Sequence, residues 1–174
     1  MELIQNFLSL FIEVWNKGIL GVDVFQILIA LIIFLLFLLF RGFISKVIIK
    51  KLEIIAKKTT NKLDDTFVKA MKGPAKFLPI VIGFFVASYY MDFSDEHIGF
   101  VDSLNKTLIT ILIFWVIHQF IEPVSHLLGG LDKILTKELI GWIVKALKIL
   151  IFILGAAAVL ELWGIKIGPI IAGL

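Results

Sequence analysis

Residues 24–40 carry no charged side chain, and only Gln26 among those seventeen positions is strongly polar. A bilayer core of roughly 30 Å is crossed by roughly 20 mostly apolar helical residues, so this stretch reads as a membrane span. The rest of the chain agrees, because 60% of its 174 residues are hydrophobic. A soluble domain of this size cannot bury that much apolar surface. The run is not a cleaved secretory signal. Glu2 precedes the first lysine, Lys17, and Arg41 with a basic stretch follows in place of a small-residue cleavage site. The first run is therefore expected to stay as an anchor. The absence of cysteine excludes a disulfide framework, thiolate metal sites and a cysteine nucleophile within these residues.

Three further apolar stretches follow at 77–91, 107–121 and 149–160. Each is short alone, but Lys76, Lys106, Lys145 and Lys148 can lay their stems along apolar surface while the ammonium groups reach the headgroups. The resulting spans are 22–41, 75–92, 104–122 and 139–160. Residues 1–16 place Leu3, Ile4, Phe7, Leu8, Phe11 and Trp15 near one helical face. Such a segment suits a short helix in the membrane interface, with a frayed, lipid-adjacent tail as the alternative. The expected fold is all-α, a polytopic transmembrane helical bundle of four spans plus the start of a fifth. Residues 1–21 form the interfacial segment, 22–160 the four-span domain with a basic loop at 42–74, and 161–174 a turn and the next helix. After Gly164 the sequence enters an apolar run that is still in progress at Leu174. A free carboxylate buried there would be costly, so a fifth span is expected to begin near Pro169, with the chain read as a fragment.

The charges orient these spans. One lysine and three acids precede the first, whereas residues 41–76 hold ten Lys/Arg against three acids. Asp92, Asp95, Glu96 and Asp102 face Lys106 between spans two and three. Four lysines and three acids lie between spans three and four, and only Glu161 and Lys166 follow. Basic loops alternate with acidic or neutral ones, so the positive-inside rule puts the N-terminus outside a cell or inner membrane and the 42–74 segment inside.

Four groups of residues bear on chemistry. Within 42–73, Phe43, Ile44, Val47 and Ile48 recur at helical spacing among Lys46, Lys50, Lys51, Lys57 and Lys58. This segment either prolongs the first span or lies along anionic headgroups, at about 1 kcal/mol per basic residue, and the two are compatible. Leu63-Asp64-Asp65-Thr66 could contribute to a Mg²⁺ site, but no carboxylate recurs one or two turns later. A helix start with acids at its positive end fits better. His118, Glu122 and His126 share the i, i+4, i+8 spacing of a metal site, yet Pro123 intervenes and the group lies at a span end. An interface ion pair or cap is favoured, and no metal or other cofactor is expected. Gly155-Ala156-Ala157-Ala158 lets another helix approach closely, either within one chain or around a symmetry axis.

Two stretches together carry a family resemblance. Thr59-Thr60-Asn61-Lys62-Leu63-Asp64-Asp65-Thr66-Phe67 precedes a span, and Leu160-Glu161-Leu162-Trp163-Gly164-Ile165 leads into Ile170-Ile171-Ala172-Gly173-Leu174. This resembles the small-conductance mechanosensitive channel family, particularly its five-span members. The resemblance implies that Ile170, Ile171, Ala172, Gly173 and Leu174 open the pore-lining helix and that spans one to four form the tension-sensing, lipid-facing set. It further implies a homo-oligomer, a heptamer by family likeness, and relief of hypo-osmotic shock by solute and ion efflux. Membrane lipids are the expected partners, with anionic headgroups at the basic segment, and no nucleic acid. A small transporter or a membrane-bound lipid-modifying enzyme is the alternative. Either needs ionisable residues in mid-span, and spans one and two offer none at their centres.

Overall fold

The computed structural model describes residues 2–18, 22–56, 63–128 and 136–169. They form five helices: α1 (Glu2–Lys17), α2 (Val24–Ala56), α3 (Leu63–Tyr90), α4 (Asp95–Leu128) and α5 (Lys137–Leu162). Helices α2 to α5 are each long and apolar enough to cross a membrane. The chain is thus an all-α, polytopic membrane protein, as its hydropathy requires.

Local chemistry sets the helix starts. Asp23 begins α2 by accepting from the Phe25 amide through its carboxylate at 3.1 Å and from the Ile27 amide through its carbonyl at 3.0 Å. The Ser94 carbonyl accepts from the His97 and Ile98 amides at the start of α4, where Asp95 and Glu96 complement the positive end of the helix. The Thr136 hydroxyl caps α5 by accepting from the Leu139 amide at 3.4 Å. Gly18, with φ +70°, turns the chain out of α1, and a Cβ there would strike the backbone of Val22.

The helices overrun the expected spans. At 1.5 Å per residue, the 33 residues of α2 extend roughly 50 Å, far more than the roughly 30 Å of hydrocarbon. The stretch after Arg41 accordingly continues the first span as helix as far as Ala56, one of the two readings its sequence allowed. Prolines do not end the helices either. Pro74 and Pro79 lie inside α3 and Pro123 inside α4, although each removes one intrahelical donor. Pro123 therefore does not interrupt the His118–His126 stretch as the sequence suggested, since α4 runs on to Leu128. Membrane helices tolerate proline because neighbouring helices and side chains resatisfy the freed carbonyl.

Packing follows chain order: α2 lies against α3, α3 against α4, and α4 against α5. The apolar window of α3 is 39% buried, against 6% for each of the other three spans. Small residues explain this difference, because Ala75, Pro79, Gly83, Ala87 and Ser88 of α3 are all buried. Helix α3 thus buries a larger share of its span than its neighbours do, while few residues of α2, α4 and α5 are fully buried. Leu39, Phe43, Trp142 and Phe152 are among the most exposed. On α1, Leu3, Ile4 and Phe7 are also exposed.

Candidate functional site

The side chains that join one span to the next lie along three helix seams. In the α2–α3 seam, Gly83 admits the side chain of Phe37. A Cβ on Gly83 would sit 2.5 Å from the Phe37 Cβ, closer than real atoms approach. Phe34 meets Phe84 edge-on one turn away, with ring centroids 6.3 Å apart. In the α3–α4 seam, Gly73 lies beneath the Trp115 indole, Phe77 packs on the same indole at 5.6 Å, and Phe67 meets Phe120 at 4.7 Å.

At the other end of that seam Asn105 donates to the Ser88 hydroxyl at 2.9 Å, and Ser88 donates onward to the Phe85 carbonyl. This satisfies the buried hydroxyl and joins two spans by a polar bond where apolar contacts give little direction. A cleft of about 470 Å³ opens beside this pair, lined by Phe85, Tyr89, Asp92, Ile98 and Asp102. Asp102 is paired with Lys106 one turn along α4, at 2.6 Å.

The α4–α5 seam is tied at three heights. Phe114 of α4 fills the space beside Gly155, where a Cβ would come within 3.0 Å of its ring base. The small-residue patch of α5 therefore receives an aromatic side chain of the adjacent helix, and Ala156 beside it is exposed. Lys148 meets the Glu122 carboxylate at 2.7 Å across 26 residues of sequence. At the opposite end the Trp163 indole N–H donates to the Thr107 hydroxyl at 3.1 Å.

The sequence placed Glu122 in an ion pair or cap, and the structure supplies Lys148 as its partner. Among the described residues no three His, Cys, Asp or Glu side chains are grouped to hold a metal, and the His126 side chain lies outside them. Lys46, Lys50 and Lys51 are exposed on the extension of α2, among exposed Phe43 and Val47. Lys57 and Lys58 lie outside the described residues. Helix α3 begins at Leu63, so Asp64 and Asp65 fall in its first turn, as a helix-start reading requires. Gly164 turns the chain with φ +80° after α5, and Gly168 and Pro169 are again helical. Ile170, Ile171, Ala172, Gly173 and Leu174 lie outside the described residues. The seam partners Phe37, Thr107, Phe114 and Lys148 escaped sequence reasoning, because no periodicity within one helix reports which residues face another.

Because the Glu122–Lys148 pair is partly exposed, with side chains 58% and 26% accessible, its worth is small. A double-mutant cycle of Glu122→Gln and Lys148→Met, read by thermal unfolding in detergent, should give a coupling of about 0.2–1 kcal/mol that shrinks in high salt. Strict additivity at low salt would contradict the pairing.

The fold and these seams define a polytopic helical membrane protein whose spans are joined as successive hairpins. Over 164 residues the chain is 27% identical to a protein of Aquifex aeolicus named as an uncharacterized MscS family protein, covering 90% of this chain and 43% of that one. It is 22% identical over 156 residues to the Bacillus subtilis MscS family protein YhdY, covering 87% and 42% respectively. The chain thus spans less than half the length of these curated relatives. No family model matches it, and no solved structure gives a significant match.

Proposed function

We propose that these residues are the membrane-embedded portion of a tension-gated channel subunit of the MscS type, with five spans in all. The observation that carries this reading is the similarity to MscS family proteins across about nine-tenths of the chain, joined to four helices long and apolar enough to cross a membrane. Membrane tension favours whichever state occupies more area in the bilayer plane, and a ligand-free bias of this kind shifts populations as any differential interaction does. Helices α2, α4 and α5 are the surfaces through which lipid would exert it.

In this reading α1 lies in the outer interface, Lys46, Lys50 and Lys51 meet anionic headgroups on the cytoplasmic side, and Ile170–Leu174 open the pore helix. The complete protein is a homo-oligomer of a cell or inner membrane, a heptamer by family likeness, that releases solutes and ions under hypo-osmotic stress. It is a channel and not an enzyme.

Topology is tested with single cysteines, which this stretch of chain lacks. Cysteines replacing Asn6, Ser94 or Gly168 should react with an impermeant thiol reagent from outside, and those replacing Lys57 or Gly130 only from inside. External labelling at Lys57 would overturn the orientation. Gating is tested by suction on excised patches, as argued in the Discussion.

A further inference from the structure

Trp163 is the residue on which α5 ends, and it is fastened to α4 as well as to its own helix. Its amide donates to the Leu160 carbonyl at 3.1 Å, and the Gly164 amide donates to the Glu161 carbonyl at 3.0 Å, which closes the last turn. Its indole N–H donates to the Thr107 hydroxyl at 3.1 Å. That hydroxyl in turn donates to the Ser103 carbonyl at 2.7 Å, so the three groups form a relay in which each bond polarises the next. The indole also meets the Phe100 ring edge-on, at 5.5 Å between centroids. Beyond Trp163 the turn is closed locally, because Gly164 takes φ +80° and the Ile165 amide donates to the Leu160 carbonyl at 3.1 Å, so wherever the end of α5 is held the chain leaving it is held too.

We infer that Trp163 is a positioning residue: by tying the end of α5 to Thr107 and Phe100, it fixes the direction of the chain leaving through Gly164 and passes movements of α4 to it. The residues of α4 that hold it lie more than 50 positions earlier in sequence, so the local turn sets the exit relative to α5 and this tie sets it relative to α4. The consequence for gating rests on the channel reading above. Tension drawn from lipid by α4 reaches the following helix through this tie, and loosening it uncouples the two.

Trp163→Phe keeps the ring against Phe100 and removes the N–H, whereas Thr107→Val keeps the volume and removes the acceptor. Spin labels on cysteines replacing Gly99 and Lys166 report the exit direction in the full-length protein, on a background free of other cysteines and diluted with unlabelled subunits. The native pair should give a narrow distance distribution. Either variant should broaden it, and the double variant should broaden it no further, because both remove one bond. In patches, the variants should need higher tension to open than the parent protein. An unchanged distribution in both variants overturns the positioning role, whatever the electrical result. Broadened distances with an unchanged or lowered threshold overturn the transmission of force. If the parent protein never opens under tension, the channel reading falls, while the distances still decide the positioning role.

Discussion

Gly83→Val is expected to disrupt the α2–α3 seam and lower the thermal unfolding temperature in detergent well below that of the parent protein. The Cβ alone would come within 2.5 Å of the Phe37 Cβ and 2.9 Å of its Cγ. The Cβ of Phe37 is fixed by the backbone, so no rotamer change moves it aside, and the helices must separate. Inserting bulk into a packed core costs about 1–3 kcal/mol, and the two methyl groups of valine add to the clash of the first carbon. Gly83→Ala should show the same direction with a smaller loss. Gly42→Ala on the same α2 helix is the control, since nothing lies within 4 Å of its added Cβ. It should leave stability equal or higher, because alanine exceeds glycine in helix preference by about 1 kcal/mol. Equal unfolding temperatures for Gly83→Val and the parent protein would contradict the seam. Relief of the defect by Phe37→Gly, which removes the Cβ as well as the ring, would identify Phe37 as the obstructing side chain.

The sequence revealed the spans themselves because hydropathy is a property of single segments. The uncharged run at 24–40, the Trp163–Gly164 turn and the acids at the start of α3 are all visible from local composition. Helix ends were less legible. Gly42 and Arg41 read as the end of a span because charge ends the apolar signal, but they do not break the backbone hydrogen bonds of α2. Prolines misled in the same way at Pro123, since a missing donor is cheaper inside a packed membrane helix than the rule for soluble helices implies. The seams were not legible at all. Gly83 belongs with Phe37, Gly73 with Trp115 and Gly155 with Phe114, and in each pair a glycine on one helix receives an aromatic side chain from the next. A glycine in sequence announces that something approaches closely, but which residue approaches depends on the rotation of two helices about their axes. The Lys148–Glu122 and Trp163–Thr107 contacts were hidden for the same reason.

The second large effect concerns tension itself. If α2, α4 and α5 are the lipid-facing helices of a tension-gated channel, stretching the membrane should open a pathway that is closed at rest. The small share of residues buried within their spans, 6% in each, is the structural basis, because only surface in contact with lipid can feel lateral tension. Helix α3, which packs on both α2 and α4 and has the largest buried share of the four spans, is the element that joins them. A transporter or lipid-modifying enzyme would show no such response, since its turnover depends on substrate and not on area. The direct measurement is suction applied to excised patches that contain the full-length protein, beside a known mechanosensitive channel as an internal standard. The account predicts discrete openings whose probability rises steeply with suction and which are absent from membranes lacking the protein. Patches that stay silent up to rupture, while the standard opens in the same membrane, would contradict it.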